Sequence, residues 1–239
     1  PDERNLLYLS LAEGYLPGGY NYNTAGSDES LTFEAEHSRL LEIGWKNRHV
    51  GNRFTSAVYL YQTTTEDKQI VDLLPGFVQS VSNAGETESY GIEVELGYQV
   101  TSALTGYFNL GFQRTEAVEF VANNFGTRQN LSGNDLIYAP EHSYSAGLLY
   151  DRGLGWFANL HIRASDDYYF DSANMLEQSG FEIIDAEIGY RFKQASISLW
   201  FRNLTDEEVA SRAINTPTGV VVEDTLPQTT GIKLLAKFD

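Results

Sequence analysis

The chain has 239 residues, a formal net charge of −17, and is 42% hydrophobic and 13% aromatic. This is enough apolar material for one large β domain or two small ones, and the acidic balance leaves no cationic excess to replace phosphate counterions, which argues against nucleic acid as a partner. Zero cysteines removes disulfides, thiolate nucleophiles and cysteine metal sites, and no apolar run approaches the ~20 residues of a transmembrane helix, so any membrane crossing has to be made by strands.

The chain opens on Pro1 rather than Met, so it is expected to be part of a longer protein. Residues 37 to 46 alternate as a strand, pass through the brief turn "NRHVGN" and return from Phe54 to about Thr64. Residues 54 to 62, "FTSAVYLYQ", are too uniformly apolar to be given a face. The clearest alternation is "SYGIEVELGYQVT", residues 89 to 101. Tyr90, Ile92, Val94, Leu96, Tyr98 and Val100 share one side, and Ser89, Gly91, Glu93, Glu95, Gly97, Gln99 and Thr101 share the other. This strand turns at "VTSA" and returns from Leu104 to Thr115. Residues 142 to 150 turn through "DRGLG" into 156 to 165, and residues 181 to 192 turn at "KQ" into 196 to 202.

These four pairs belong to about ten candidate strands in all, and short connections alternate with long ones. The long stretches, 17 to 32, 66 to 86, 117 to 140, 166 to 180 and 203 to 227, are rich in Gly, Asn, Asp, Thr and Ser. Short turns at one rim and long loops at the other are the habit of an antiparallel up-and-down transmembrane β-barrel. Aromatic placement agrees: Trp45, Phe54, Tyr98, Tyr150, Trp156, Tyr190 and Phe192 sit beside the short turns on the apolar faces, as a ring of amphipathic side chains at a lipid–water boundary would. Tyr90 and Tyr144 hint at a second ring. The opposite faces carry Glu93, Glu95 and Gln99 on one strand and Asp185, Glu187 and Arg191 on another, groups that need water or partners. A wet lumen supplies that, and so does the solvated exterior of a soluble barrel. The alternation by itself does not choose between them.

Enzyme motifs are missing: there is no Gly-rich nucleotide loop, nucleophile elbow or paired-histidine zinc motif, and His37, His49, His142 and His161 are spread too widely in sequence to suggest a metal cluster. No catalytic residue, resident metal or cofactor is expected. Acidic stretches such as "SDES", "TTTED", "SDDYYFDS" and "NLTDEE" read as solvated loop surface, since none has calcium-loop spacing.

The stretches "LSLAEGYLPGGYNYN", "NAGETESYGIEVELGY", "LSGNDLIYAPEHSYSAGLLY" and "FRNLTDEE", with the closing "GIKLLAKFD", resemble in order the landmarks of TonB-dependent outer-membrane receptors. The resemblance covers nearly the whole chain. It implies an all-β, 22-stranded barrel in the bacterial outer membrane, with a plug in its lumen, of which these ten strands would be the C-terminal part. It further implies import of a scarce metal chelate, with a ferric siderophore as first expectation, powered by a TonB-type transducer that acts through an upstream plug. Phe238 would be the C-terminal aromatic read by the barrel-assembly machinery, although Asp239 follows it here. Tyr20 and Tyr22 in the first loop, and Tyr168, Tyr169 and Phe170 in the fourth, are the candidate ligand contacts, or else members of the upper aromatic ring. Membrane lipid completes the expected partners. The alternatives are a self-contained barrel, either a soluble binding module or a ten-stranded outer-membrane protease.

Overall fold

The computed structural model describes residues 4–22, 31–49, 51, 53–74, 78–83, 85–124, 127–216 and 218–237. Phe238, the expected assembly signal, lies outside them. In chain order the strands are β1 (Asn5–Leu16), β2 (Gly19–Tyr20), β3 (Thr32–Phe33), β4 (Glu36–His49), β5 (Phe54–Glu66), β6 (Gln69–Leu74), β7 (Val78–Asn83), β8 (Gly85–Gln99), β9 (Leu104–Asn124), β10 (Thr127–Asn130), β11 (His142–Asp151), β12 (Gly155–Ser165), β13 (Tyr168–Tyr169), β14 (Glu177–Gln178), β15 (Phe181–Arg191), β16 (Ala195–Arg202), β17 (Ala210–Thr216), β18 (Gly219–Asp224) and β19 (Thr229–Ala236).

The expected up-and-down arrangement is present. Ten long strands run in one antiparallel order, β1-β4-β5-β8-β9-β11-β12-β15-β16-β19. Each neighbouring pair is joined by hairpin or loop connections that alternate in length as the sequence indicates. Among the described residues β1 and β19 are the two ends of this order and do not pair with each other, so the ten strands do not close on themselves as a small barrel would.

Register carries the two faces across the sheet. Leu7, Trp45, Val58, Val94, Leu110, Tyr144 and Ala164 lie in one row, each opposite the next. The adjacent residues form a second row on the opposite face: Leu6, Lys46, Ala57, Glu95, Asn109, Ser145 and Arg163. The first row starts near the short-turn end of β4 and finishes at the long-loop end of β12. That drift is the stagger tilted strands need to wrap a cylinder.

The face of residues 54 to 62 is now assigned. Val58 and Leu60 join Val94 and Ile92 on the apolar side, while Ala57, Tyr59 and Tyr61 stand with Glu95, Glu93 and Gly91. The stretch looked apolar throughout because its polar face presents tyrosines.

A single sheet has no second layer to bury either face. Among the described residues no large side chain is fully buried. Leu7 is 72% exposed, Leu11 78%, Trp156 60% and Leu234 72%. A row of exposed leucines along paired, hydrogen-bonded strands costs too much in water to be a free surface and calls for an apolar medium or partner to cover it. The aromatic ring beside the short turns is also seen as contacts, with Phe54 and Tyr98 centroids 6.4 Å apart, Trp156 and Tyr190 5.4 Å, and Tyr190 and Phe192 4.7 Å.

Parts of the long stretches expected to be irregular are ordered. β6 and β7 form one hairpin, β17 and β18 another, and β10 folds back on the end of β9. At about 3.3 Å per residue the 21-residue β9 spans about 70 Å, well beyond the 9–11 residues that cross a bilayer. Its outer end holds a small hydrophobic cluster: Ala117 and Phe120 pack against Ile70, Ala122, Leu131 and Leu136.

Candidate functional site

The polar face is built by a repeated device. Tyr8, Tyr61, Tyr107, Phe157 and Trp200 each lie across a glycine directly opposite on the next strand, namely Gly44, Gly91, Gly147, Gly189 and Gly231. A Cβ at Gly44 would fall 2.2 Å from the Tyr8 ring, and one at Gly147 would fall 2.3 Å from the Tyr107 ring. With no side chain in the way, the ring reaches one strand further. Tyr107 Oη meets His161 Nδ1 at 2.5 Å across Gly147, and Tyr61 Oη donates to Gln113 Oε1 at 3.4 Å across Gly91. Glycine in a strand sacrifices packing, and here the bridging ring restores it.

The six expected lumen residues share this face. Glu95 accepts from Tyr59 Oη at 3.3 Å, while Lys46 lies 5.4 Å from the Tyr59 ring and 5.8 Å from that of Tyr8. Glu93 sits in the row of Tyr59, and Gln99 is opposite Thr105. Asp185 accepts from the Asn203 backbone N–H at 2.9 Å and faces Arg202 at 3.7 Å. Glu187 accepts from Ser198 Oγ at 2.6 Å. Arg191 donates to both oxygens of Asp151, at 2.7 and 2.9 Å, and to the Gly153 carbonyl at 2.9 Å, which ties the β11–β12 turn to β15. A recess of about 600 Å³ opens on this face between Lys46, Arg48, Tyr59, Glu95, Tyr107 and Asn109.

The "FRNLTDEE" landmark resolves into a turn. Asn203 is buried with φ at 50°, and its side chain both donates to the Glu207 carbonyl and accepts from the Glu207 N–H, each at 2.8 Å. A short amide that tolerates the left-handed region suits this position.

At the long-loop rim two loops form one unit. The segment before β11 is tied to the segment after β12 by Tyr138 N–H to the Tyr169 carbonyl at 2.9 Å, Asn134 Nδ2 to the Ser172 carbonyl at 2.8 Å, and Asn174 bonded in both directions to the Asp135 backbone. Tyr138, Tyr168 and Phe170 form an aromatic cluster there, with centroids 5.5 to 5.8 Å apart. Burial raises the Tyr168 phenol above its ordinary value, with Tyr138 adding to the effect, so the hydroxyl stays neutral at physiological pH.

The candidate ligand contacts separate on this evidence. Phe170 is 8% exposed and packs inside the loop unit. Tyr168 and Tyr169 are half-buried beside it. Tyr20 and Tyr22 are 71% and 94% exposed, on a loop pinned by Asn21, whose side chain bonds the Val81 backbone in both directions. They follow β1, six places from β12 in the strand order, so the two groups do not form one cluster. Tyr138, absent from the sequence-based candidates, is 48% exposed and holds φ at 55°. A bulky residue in the left-handed region is uncommon and needs the surrounding structure to hold it. Only its position two residues before Pro140, within a quoted landmark, marked the segment beforehand.

Comparison with known proteins agrees. The family model described as TonB dependent receptor-like, beta-barrel, matches residues 1–204. The pesticin receptor of Yersinia pestis is 24% identical over 236 residues, covering 97% of this chain and 34% of the receptor. The ferric yersiniabactin uptake receptor FyuA from Yersinia pestis superposes with a TM-score of 0.84 at 24% identity, over 99% of this chain and 35% of that one. The siderophore receptor PiuA from Acinetobacter baumannii gives 0.78 at 18% identity, over 98% and 34%. The chain spans about a third of the length of these relatives. These relatives are receptors by name, and the unpaired ends of the ten-strand order, among the described residues, set the chain apart from a self-contained barrel. The two-faced sheet, its aromatic ring, its unclosed ends and the family match lead to one assignment: this chain belongs to the TonB-dependent receptor family and forms part of its outer-membrane β-barrel.

Proposed function

We propose that the chain is the C-terminal barrel portion of a receptor that imports a ferric siderophore, with a plug encoded upstream and energy delivered through that plug by a TonB-type partner. The observation that carries the reading is the polar face, whose side chains are bonded to one another from Tyr8 on β1 to Ser198 on β16. A lumen lined by Glu93, Glu95, Gln99, Asp185, Glu187 and Arg191 suits a hydrated passage around a plug, and lipid contacts the other side. Barrel-assembly machinery would insert it, with Phe238 as part of the signal. Relatives that take up ferric yersiniabactin, and a ferric citrate transporter matched at a TM-score of 0.74, favour an iron chelate as cargo.

Capture falls to the loops, because only they reach the outside. Half-buried Tyr168 and Tyr169, with Tyr138 beside them, offer flat amphipathic surfaces to an organic chelate. The test is uptake of radiolabelled iron, supplied as a panel of ferric siderophores, by cells whose full-length receptor is intact, deleted or Tyr168→Ala/Tyr169→Ala. Uptake of one chelate should vanish on deletion, and its affinity should weaken in the double variant while the barrel still resists heat in gels. Unchanged uptake on deletion across the panel would refute the cargo class, and unchanged affinity in the double variant would refute the loop site.

A further inference from the structure

We infer that Glu141, His142 and Asp166 bind a divalent transition-metal ion at the root of the loop unit. Among the described residues this is where one imidazole and two carboxylates converge, their donor atoms all within 4.8 Å of one another. His142 Nδ1 is already 3.0 Å from Asp166 Oδ2. A tetrahedral ion with bonds of about 2.0–2.2 Å holds its donors about 3.3 Å apart, so this pair is near the required spacing and Glu141 needs only a rotation of an exposed side chain.

The backbone beneath the three residues is fixed. The Gln113 N–H donates to the Glu141 carbonyl at 2.8 Å, and the Asp166 N–H donates to the His142 carbonyl at 2.9 Å. The His142 ring is flanked by Phe112, centroid to centroid at 5.8 Å. One donor, His142, therefore sits on a paired strand end, and the other two adjoin strand ends and are held by backbone hydrogen bonds, rather than lying on a wandering loop. Arg114 lies 3.9 Å from Glu141, but its side chain is 72% exposed and the contact is a loose surface pair that an ion would displace.

The donor set selects the ion class. An imidazole nitrogen with two carboxylates suits Zn²⁺, Cu²⁺ or Ni²⁺ better than Ca²⁺ or Mg²⁺, which take oxygen ligands. Three protein ligands leave one position for water. His142 is opposite Phe112, in the row of Ile92 on the apolar face, so the ion sits outside the polar passage and is not a station for cargo. Its position suggests a clip. Glu141 lies three residues from Tyr138 and Asp166 two from Tyr168, so occupancy fastens together the two loops that carry the aromatic cluster. This holds whichever chelate is imported.

The test uses the chelator-treated full-length receptor in detergent, titrated with Zn²⁺ alone and, separately, loaded with Cu²⁺ for electron paramagnetic resonance. Wild type should take up one more Zn²⁺ than His142→Ala/Asp166→Asn, and Asp166→Asn alone should bind that ion at least about tenfold more weakly, since even supporting partners of a ligand are worth that much. Zn²⁺ should slow proteolysis of the loops in wild type, and the nitrogen coupling of bound Cu²⁺ should fall in His142→Ala but not in His37→Ala. Equal Zn²⁺ stoichiometry and affinity in wild type and Asp166→Asn, whose side chain keeps its shape, would overturn the site. So would a Cu²⁺ spectrum insensitive to His142.

Discussion

Replacing Gly147 by alanine tests whether bridging aromatics hold the polar face together. A Cβ there would lie 2.3 to 2.5 Å from three atoms of the Tyr107 side chain, so the ring has to leave, and its contact with His161 goes with it. Overpacking of this kind costs about 1–3 kcal/mol, and the hydrogen bond contributes about 1 kcal/mol net. Gly147→Ala should therefore destabilise the barrel by about 2–4 kcal/mol. In a Tyr107→Ala background the same change meets no ring and should be neutral or slightly stabilising, because alanine is preferred to glycine in a strand by about 0.5–1 kcal/mol. The assay is a double-mutant cycle on the full-length receptor, unfolded by urea in detergent and followed by tryptophan fluorescence. Gly14→Ala, whose Cβ meets nothing within 4 Å, serves as the control. A cycle that is additive within about 0.5 kcal/mol would refute the bridging role.

Val94→Lys should cripple assembly, since a lysine on the lipid face near mid-depth costs about 2–4 kcal/mol, while Glu95→Lys on the polar face should assemble; abundance in heat-modifiability gels distinguishes them. Phe170→Ala removes the buried centre of the loop cluster, so protease should cut residues 166–180 faster with the barrel melting unchanged. Phe238→Ala in the full-length protein should lower outer-membrane abundance, read by quantitative blotting of membrane fractions, if that aromatic is part of the assembly signal.

The strands were legible because one sheet with an apolar and a polar face imposes period two on nearly every residue. Alternation marks the start of β9 at Leu104 and both ends of β11, β12, β15 and β16 to within about one residue. It failed where that contrast is lost. Tyr59 and Tyr61 look apolar yet stand on the polar face, because each is amphipathic and Gly91 makes room for a ring. The hairpins β6–β7 and β17–β18 lie within the long connections, where Asn, Gly and Thr read as loop although the backbone still pairs. Phe170 looked like an outward aromatic because its burial comes from Tyr138, 32 residues away in sequence. The meeting of Glu141 and His142 with Asp166 was invisible for the same reason: it follows from the pairing of β11 with β12, and no local motif encodes it.

The central claim is that Val94 faces lipid and Glu95 faces a wet lumen. The chain contains no cysteine, so a single Cys at either position in the full-length receptor, in a background free of any other cysteine, carries one nitroxide label. In reconstituted vesicles the label at Val94→Cys should be relaxed by oxygen, which concentrates in the bilayer, and little affected by a water-soluble paramagnetic chelate. At Glu95→Cys the preference should reverse, to the extent that a plug admits water. Equal aqueous exposure at both positions would contradict the two-faced assignment. Shielding of position 94 from both reagents would contradict it too, since that is how a packed soluble core behaves.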